Sequence, residues 1–170
     1  MKEIRRMQER ELEQVAEIAK EEIYSFLTLE EIKDWLSSMK FPYLQIFVAD
    51  NRLEIDLPAD IAGFISWRLY DQSVNKVVLE IFWMAIKKEF QKTGVGRDLF
   101  ITSFDRVRDY WEGRGMTISA ILVAPYEKRE GAQRFFEKFL RPSHKALIPD
   151  VWGTEFAKQG IVVMSKILTN

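Results

Sequence analysis

Residues 76–113 read KVVLEIFWMAI, then KKEFQKT, then GVGRDLFITSFDRVRDYWEG. The first piece, 76–86, is an apolar, β-branched and aromatic run whose one interior charge is Glu80, too short for a typical helix, and it predicts a central strand buried on both faces. The last piece places Leu99, Phe100, Phe104, Val107 and Trp111 on one side of a helix that ends near Gly113. Between them lies a turn, Gln91-Lys92-Thr93-Gly94-Val95-Gly96. A strand, a glycine-bearing turn and a helix in immediate succession expose backbone N–H groups at a helix N-terminus, where the helix dipole adds about half a positive charge. That arrangement draws an anion. Glycine at 94 and 96 lets the backbone approach a pyrophosphate, and Lys87, Lys88, Lys92 and Arg97 can offset its charge.

Downstream, residues 117–124, TISAILVA, form another buried strand halted by Pro125; residues 130–140 form a short helix with Phe135, Phe136 and Phe139 as its stripe; residues 161–168 form a last strand. Upstream, Leu12, Val15, Ala16, Ile18, Ala19 and Ile23 recur at helical steps within residues 9–23. A second helix starts after Thr28, an N-cap with Glu31 three residues on, and runs through Ile32, Trp35 and Leu36. Residues 44–50 and 61–70 read as two strands of a hairpin with a long, Pro-containing loop. The order helix, helix, three strands, glycine turn, helix, strand, helix, strand predicts an α/β fold: a mixed, mostly antiparallel central sheet with helices on both faces.

At 170 residues, with no repeat or linker, the chain is expected to form a single domain over 1–170. The absence of Cys excludes disulfides, Cys-ligated zinc and a Cys nucleophile, and the one His, His144, excludes a two-His metal site within one subunit. No metal is expected. His144 follows Pro142 and Ser143 in a stretch read as irregular, where a surface His is the commoner outcome than a catalytic one. Net charge −1 and pI about 6.0 argue against a nucleic-acid partner. No export signal and no membrane-length apolar run is present, so the reading is cytoplasmic, without a membrane partner. Charge is uneven: residues 1–60 carry 8 basic and 14 acidic side chains, net −6, leaving 17 and 12, net +5, beyond. Trp35, Phe41 and Tyr43 could wall a pocket, although aromatics at element ends more often serve as core or rim.

The turn matches neither G-x-x-x-x-G-K-[ST] nor G-x-G-x-x-G, so triphosphate and dinucleotide readings lose support. It does match [Q/R]-x-x-G-x-[G/A], and here the chain resembles the GCN5-related N-acetyltransferases (GNAT), whose acyl-CoA N-acyltransferase fold carries this acetyl-CoA signature after a long strand. Ile61-Ala62-Gly63-Phe64-Ile65, Leu122-Val123-Ala124-Pro125 and Ala132-Gln133-Arg134-Phe135-Phe136-Glu137-Lys138 are similar to further family segments, in order, over about residues 8–140. The resemblance implies acetyl-CoA as co-substrate in a split between the strands 79–86 and 118–124. Pantetheine would pair with backbone near Met84, Ala85 and Ile86. The pyrophosphate would meet Lys92, Thr93, Gly94, Val95, Gly96 and Arg97 after Gln91, and Arg129 and Phe136 would lie on the cofactor side. It implies an N-acetyltransferase acting on a primary amine of a small molecule or protein; the alternative is a non-catalytic coenzyme A-binding regulatory or assembly module.

With no Cys to form an acyl-enzyme, the amine itself is expected to attack the thioester. Glu80, in an apolar strand, is the candidate general base, and the run Glu80-Ile81-Phe82-Trp83-Met84-Ala85-Ile86 resembles the E-I-x-F-x-A-I strand of the family's histone-acetylating branch, where this Glu is the base. The rival for Glu80 is a solvent-facing or ion-paired carboxylate. Two departures stand out: Phe136 occupies the position of the relatives' general-acid Tyr, and Arg129 that of an Asn. Tyr126 is the nearest substitute acid in sequence, solvent the other source of the proton. The family's first two helices line the acceptor side, and their acidity favours a cationic amine. Oligomeric state is not legible, and a homodimer is compatible with everything above.

Overall fold

The computed structural model of the chain describes residues 3–38, 41–51, 59–125, 129–148 and 161–168. Among them run β1 (Glu3–Arg6), α1 (Leu12–Glu22), α2 (Leu29–Ser38), β2 (Leu44–Asp50), β3 (Ile61–Gln72), β4 (Lys76–Ile86), α3 (Val95–Glu112), β5 (Thr117–Val123), α4 (Glu130–Leu140), β6 (His144–Ile148) and β7 (Ile161–Ile167). The strands form a seven-stranded sheet in the order β1-β2-β3-β4-β5-β7-β6. The pairs β1–β2, β2–β3, β5–β7 and β6–β7 are antiparallel, and β4–β5 is parallel. Between β3 and β4 the bonded pairs Ser73 with Lys76, Ser66 with Trp83 and Ala62 with Lys87 step in opposite chain directions, which makes that pair an antiparallel hairpin. The expected mixed, mostly antiparallel α/β fold is the one observed.

Two compact units divide the chain, Met1–Arg68 with Trp83–Tyr110, and Leu69–Phe82 with Trp111–Asn170. In the first, α1 turns Val15, Ala16, Ile18 and Ala19 inward, α2 contributes Ile32 and Leu36, and every residue of β2 is buried. The helical reading of residues 9–23 begins in fact with a 3-10 turn, Glu9–Glu11. The capping of α2 is as read: Glu31 Oε2 accepts from the Thr28 amide at 2.8 Å while the Glu31 amide donates to Thr28 Oγ1 at 3.2 Å. Buried Trp67 donates through Nε1 to Ser103 Oγ at 2.8 Å, tying β3 to α3.

The strand β1, absent from the sequence reading, is fastened by charge. Arg5 donates to Glu11 at 2.5 and 2.8 Å and to Asp50 Oδ2 at 2.6 Å, with both carboxylates buried. Burial pushes the Glu11 carboxyl up, but hydrogen bonds from the Arg5 guanidinium and the Gln8 amide outweigh it and hold Glu11 below its ordinary value. The Glu11 hydrogen bond, against desolvation and with help from Asp50, makes Arg5 hold its proton still more tightly.

In the second unit β5 lies between β4 and β7, packing Val77, Leu79, Ile121 and Met164 inward. The structure corrects two expectations here. Burial along β4 alternates, so Val77, Leu79 and Ile81 are buried while Val78, Glu80 and Phe82 are half-exposed; the strand is not buried on both faces. The stretch holding His144 is not irregular, since His144 opens β6, exposed and in register with Ser165 of β7. As expected, α3 ends beside Gly113, its last residue being Glu112, and Gly115 completes the closure: Gly115 has φ +73, its amide reaches the Glu112 carbonyl at 2.9 Å and Met116 reaches Trp111 at 3.0 Å. Those two bonds satisfy carbonyls that the helix end leaves over, and they require a left-handed residue between them.

Candidate functional site

The first unit holds the whole run from Trp83 to Arg97, and it is built around the edge of β4. Parity along an antiparallel hairpin decides which backbone groups each neighbour receives. The Trp83 amide donates to Ser66 Oγ at 2.9 Å, and that hydroxyl donates to the Trp83 carbonyl at 3.2 Å, so a buried side chain of β3 takes both groups. Two residues on, the Ala85 carbonyl lies against Gly63, where a Cβ would be only 2.6 Å from its oxygen; two further, the Lys87 amide donates to the Ala62 carbonyl at 2.9 Å. Residues 83, 85 and 87 thus face β3, and the backbone groups of Met84 and Ile86 point to the opposite edge.

That edge is open. The β4–β5 ladder among the described residues stops at Ile81 opposite Val123. The Ile86 carbonyl is taken by Gln91 Nε2 at 3.0 Å, and among the described residues the Met84 amide and carbonyl and the Ile86 amide are left to be paired. Of Met84, Ala85 and Ile86, the first and last turn their backbone groups to this edge, while the Ala85 carbonyl lies against Gly63.

The turn that follows is already folded by its own bonds. Phe90 donates to Lys87 O at 2.9 Å, Gln91 to Lys88 O at 3.2 Å, and Thr93 Oγ1 to Phe90 O at 2.7 Å. Gln91 Nε2 also reaches Glu22 Oε2, at the end of α1, at 3.1 Å. Lys92 (φ +62) and Gly94 (φ +93) adopt left-handed conformations that turn successive amides to one side, a concavity suited to an anion. The first helical bond of α3 is Asp98 N to Gly94 O, so the amides of 95–97 precede the helical ladder. Nothing lies within 4 Å of where a Gly94 Cβ would be, and buried Val95 anchors the start of the helix. These residues fit a pyrophosphate. The cations differ in engagement: Lys87 Nζ is 3.9 Å from Asp60, whereas Arg97 is turned to Asp98 at 2.8 Å.

The other candidates belong to the second unit. Glu80 is half-buried on β4, in register with Leu122 of β5. Arg129 is exposed and N-caps α4, and Phe136 is buried in α4 with no hydroxyl to offer. Tyr126 lies outside the described residues. Of the three aromatics considered as pocket walls, Trp35 joins Tyr24 and Trp83, Phe41 instead meets Tyr110 edge-to-face and lies beneath the Arg6 guanidinium, and Tyr43 is exposed. Sequence reasoning missed Ser66 and Gly63, whose roles exist only across a hairpin, and Glu22, which meets Gln91 across 69 positions. Among the described residues no group of three His, Asp or Glu side chains is placed to hold a metal ion, and no helix is long and apolar enough to cross a membrane.

A sequence profile described as "Acetyltransferase (GNAT) family" matches residues 9–140. No curated protein sequence matches the chain. Among solved structures, Arabidopsis thaliana NAA60 in complex with acetyl-CoA superposes with a TM-score of 0.75 at 12% identity, covering 100% of both chains. The ribosomal-protein-S18-alanine N-acetyltransferase from Escherichia coli superposes with a TM-score of 0.69 at 15% identity, over 100% of this chain and 96% of that one. A spermidine N-acetyltransferase SpeG chimera from Vibrio cholerae and hSSAT gives 0.66 at 13% identity, over 97% and 95%. At such identities the likeness is one of fold.

Proposed function

Since the chain belongs to the GNAT acetyltransferase family, we propose that it moves an acetyl group from acetyl-CoA directly to a primary amine. The observation that carries this reading is the open edge of β4 running straight into the anion-cradling turn. Met84 and Ile86 offer backbone donors and an acceptor to the amides of a pantetheine arm, as an added strand would be met. The turn and the first amides of α3 then receive the pyrophosphate.

Chemistry follows from what the chain has and lacks. An alkylammonium of pKa near 10.4 is only about one part in 2,500 neutral at pH 7, so the attacking nitrogen needs a proton acceptor. Glu80 takes that role, directly or through a water. The N–C bond forms as the C–S bond of the thioester breaks, one amine proton passes to Glu80, and the departing thiolate takes a proton from Tyr126 or solvent, since Phe136 has none to give. Cys is absent, and the amine attacks without an acyl-enzyme.

The test mixes protein, acetyl-CoA and a panel of amines and follows thiol release, alongside binding of acetyl-CoA. Amine-dependent release from the wild type, with affinity lost in Gly94→Glu, supports the reading. Tight binding without release with any amine favours the non-catalytic module instead.

A further inference from the structure

Four aromatic rings from three separate segments of the first unit meet at one place. Tyr24 and Phe26, from the connection after α1, lie 5.8 Å apart edge-to-face. Tyr24 is 6.1 Å from Trp35 of α2 and 5.0 Å from Trp83 of β4, and Trp35 is 5.8 Å from Trp83. Burial grades across the group: Trp83 is 3% exposed, Trp35 45% and Phe26 49%. A buried indole thus supports an outer layer in which Trp35 and Phe26 stay about half exposed, each beside Tyr24 and not scattered singly.

Two observations say what this layer suits. The first is charge. Residues 20–38 carry Glu21, Glu22, Glu30, Glu31 and Asp34 against Lys20 and Lys33, and Lys33 is engaged by Glu30 at 2.8 Å. Glu31 lies one turn before Trp35 on the same helix face and is kept ionised by the Thr28 amide and hydroxyl, which hold its carboxyl below the ordinary value. The second is continuity. Trp83 directly precedes Met84, the first residue of the open β4 edge, so the cluster adjoins the strand on which the acyl donor is proposed to lie.

We propose that Tyr24, Phe26, Trp35 and Trp83 form the acceptor subsite, and that it selects an aliphatic amine bearing a second, non-reacting ammonium group: a diamine or polyamine. The inference rests on the acetyl-transfer reading above. A ring face attracts a cation, yet the attacking nitrogen must be neutral when it attacks, so a contact with the rings at that nitrogen would oppose reaction. The contact is productive only at a nitrogen that keeps its charge. Ring faces with a carboxylate rim supply this for a second ammonium and supply nothing comparable to a monoamine.

The experiment compares 1,4-diaminobutane with n-butylamine as acceptors for the wild type, Trp35→Ala and Trp35→Phe, with the acetyl-CoA dissociation constant measured in parallel. The wild type is expected to favour the diamine at least tenfold in kcat/KM. Trp35→Ala should lower kcat/KM for the diamine by roughly 3–30-fold, chiefly through KM. Trp35→Phe, which keeps a ring face, should recover most of that loss, and affinity for acetyl-CoA should stay within about twofold in both variants. Equal use of the two amines, or a preference that survives Trp35→Ala unchanged, overturns the inference while the acetyl-transfer reading stands. A wild type that neither binds acetyl-CoA nor releases thiol with any amine overturns both.

Discussion

Gly63→Ala adds one carbon where β3 presses on β4. The new Cβ would sit 2.6 Å from the Ala85 carbonyl oxygen, 2.5 Å from Ile86 Cδ1 and 3.0 Å from Ile86 Cα. The Ile86 methyl is the end of a flexible side chain and can swing away. The carbonyl cannot, because it is part of the strand, and reaching ordinary contact requires β4 to retreat by roughly 0.8 Å or β3 to bend. Overpacking of this kind costs about 1–3 kcal/mol. In a domain of this size that corresponds to a fall in Tm of about 2–12 °C. The displaced strand is the one proposed to pair with pantetheine, so weaker binding of acetyl-CoA should accompany the loss of stability. Thermal unfolding and calorimetric binding of acetyl-CoA measure both. Gly131→Ala is the control: it lies in α4 with nothing within 4 Å of its Cβ position and should stabilise by up to about 1 kcal/mol without changing affinity. A Gly63→Ala protein with wild-type Tm and wild-type affinity would show that β3 and β4 have room the geometry denies, and the reasoning would fail.

Ser66→Ala strips the buried Trp83 amide and carbonyl of their shared partner and should cost about 1–3 kcal/mol by denaturant titration, with Ser66→Thr recovering part of it. Acid should weaken the fold through Glu11: its folded carboxyl titrates below the unfolded value of about 4.3, so its contribution is complete above that pH and is lost as pH falls through the folded value. Glu11→Gln should accordingly unfold more easily at pH 7 and show a shallower loss of stability below about pH 4. Glu80→Gln should lower kcat by on the order of 10²–10⁴ and erase the acidic limb of the pH–rate profile; an unchanged kcat and limb would remove Glu80 from the reaction. Tyr126→Phe should alter the basic limb if the tyrosine supplies the thiolate's proton, and leave it untouched if solvent does.

How far the chain could be read from its letters depended on how local each cause was. The turn from Gln91 to Gly96 and the helix after it were legible because strand periodicity, glycine placement and a helix start are short-range properties, and the structure puts left-handed residues at Lys92 and Gly94 within that turn. The Thr28–Glu31 cap was legible for the same reason. β1 was not: four residues, Glu-Ile-Arg-Arg, carry no alternation, and the strand exists because Arg5 finds Asp50 across 45 positions. β6 was hidden by Pro142 and Ser143 before it, and its partner β7 lies beyond a long intervening stretch. Trp83 looked like one more apolar residue of a strand until Tyr24 and Trp35 converged on it.

The ladder that ends at Ile81 carries a further consequence, for colloidal behaviour. Hydrogen-bonding groups left at a strand edge will accept any extended chain, including the same strand of another copy. Here the hazard is kept small, since the run is short and the Gln91 amide has already covered its last carbonyl at Ile86. What remains, at Met84 and the Ile86 amide, is proposed to be met by the acyl donor itself. Acetyl-CoA would then act as a reversible edge cover, adding about 2.7 kcal/mol of stability at a hundredfold excess over its dissociation constant. The same molecule that supplies the acetyl group would keep copies of the protein apart, and a preparation stripped of it should be the one that clouds first on warming.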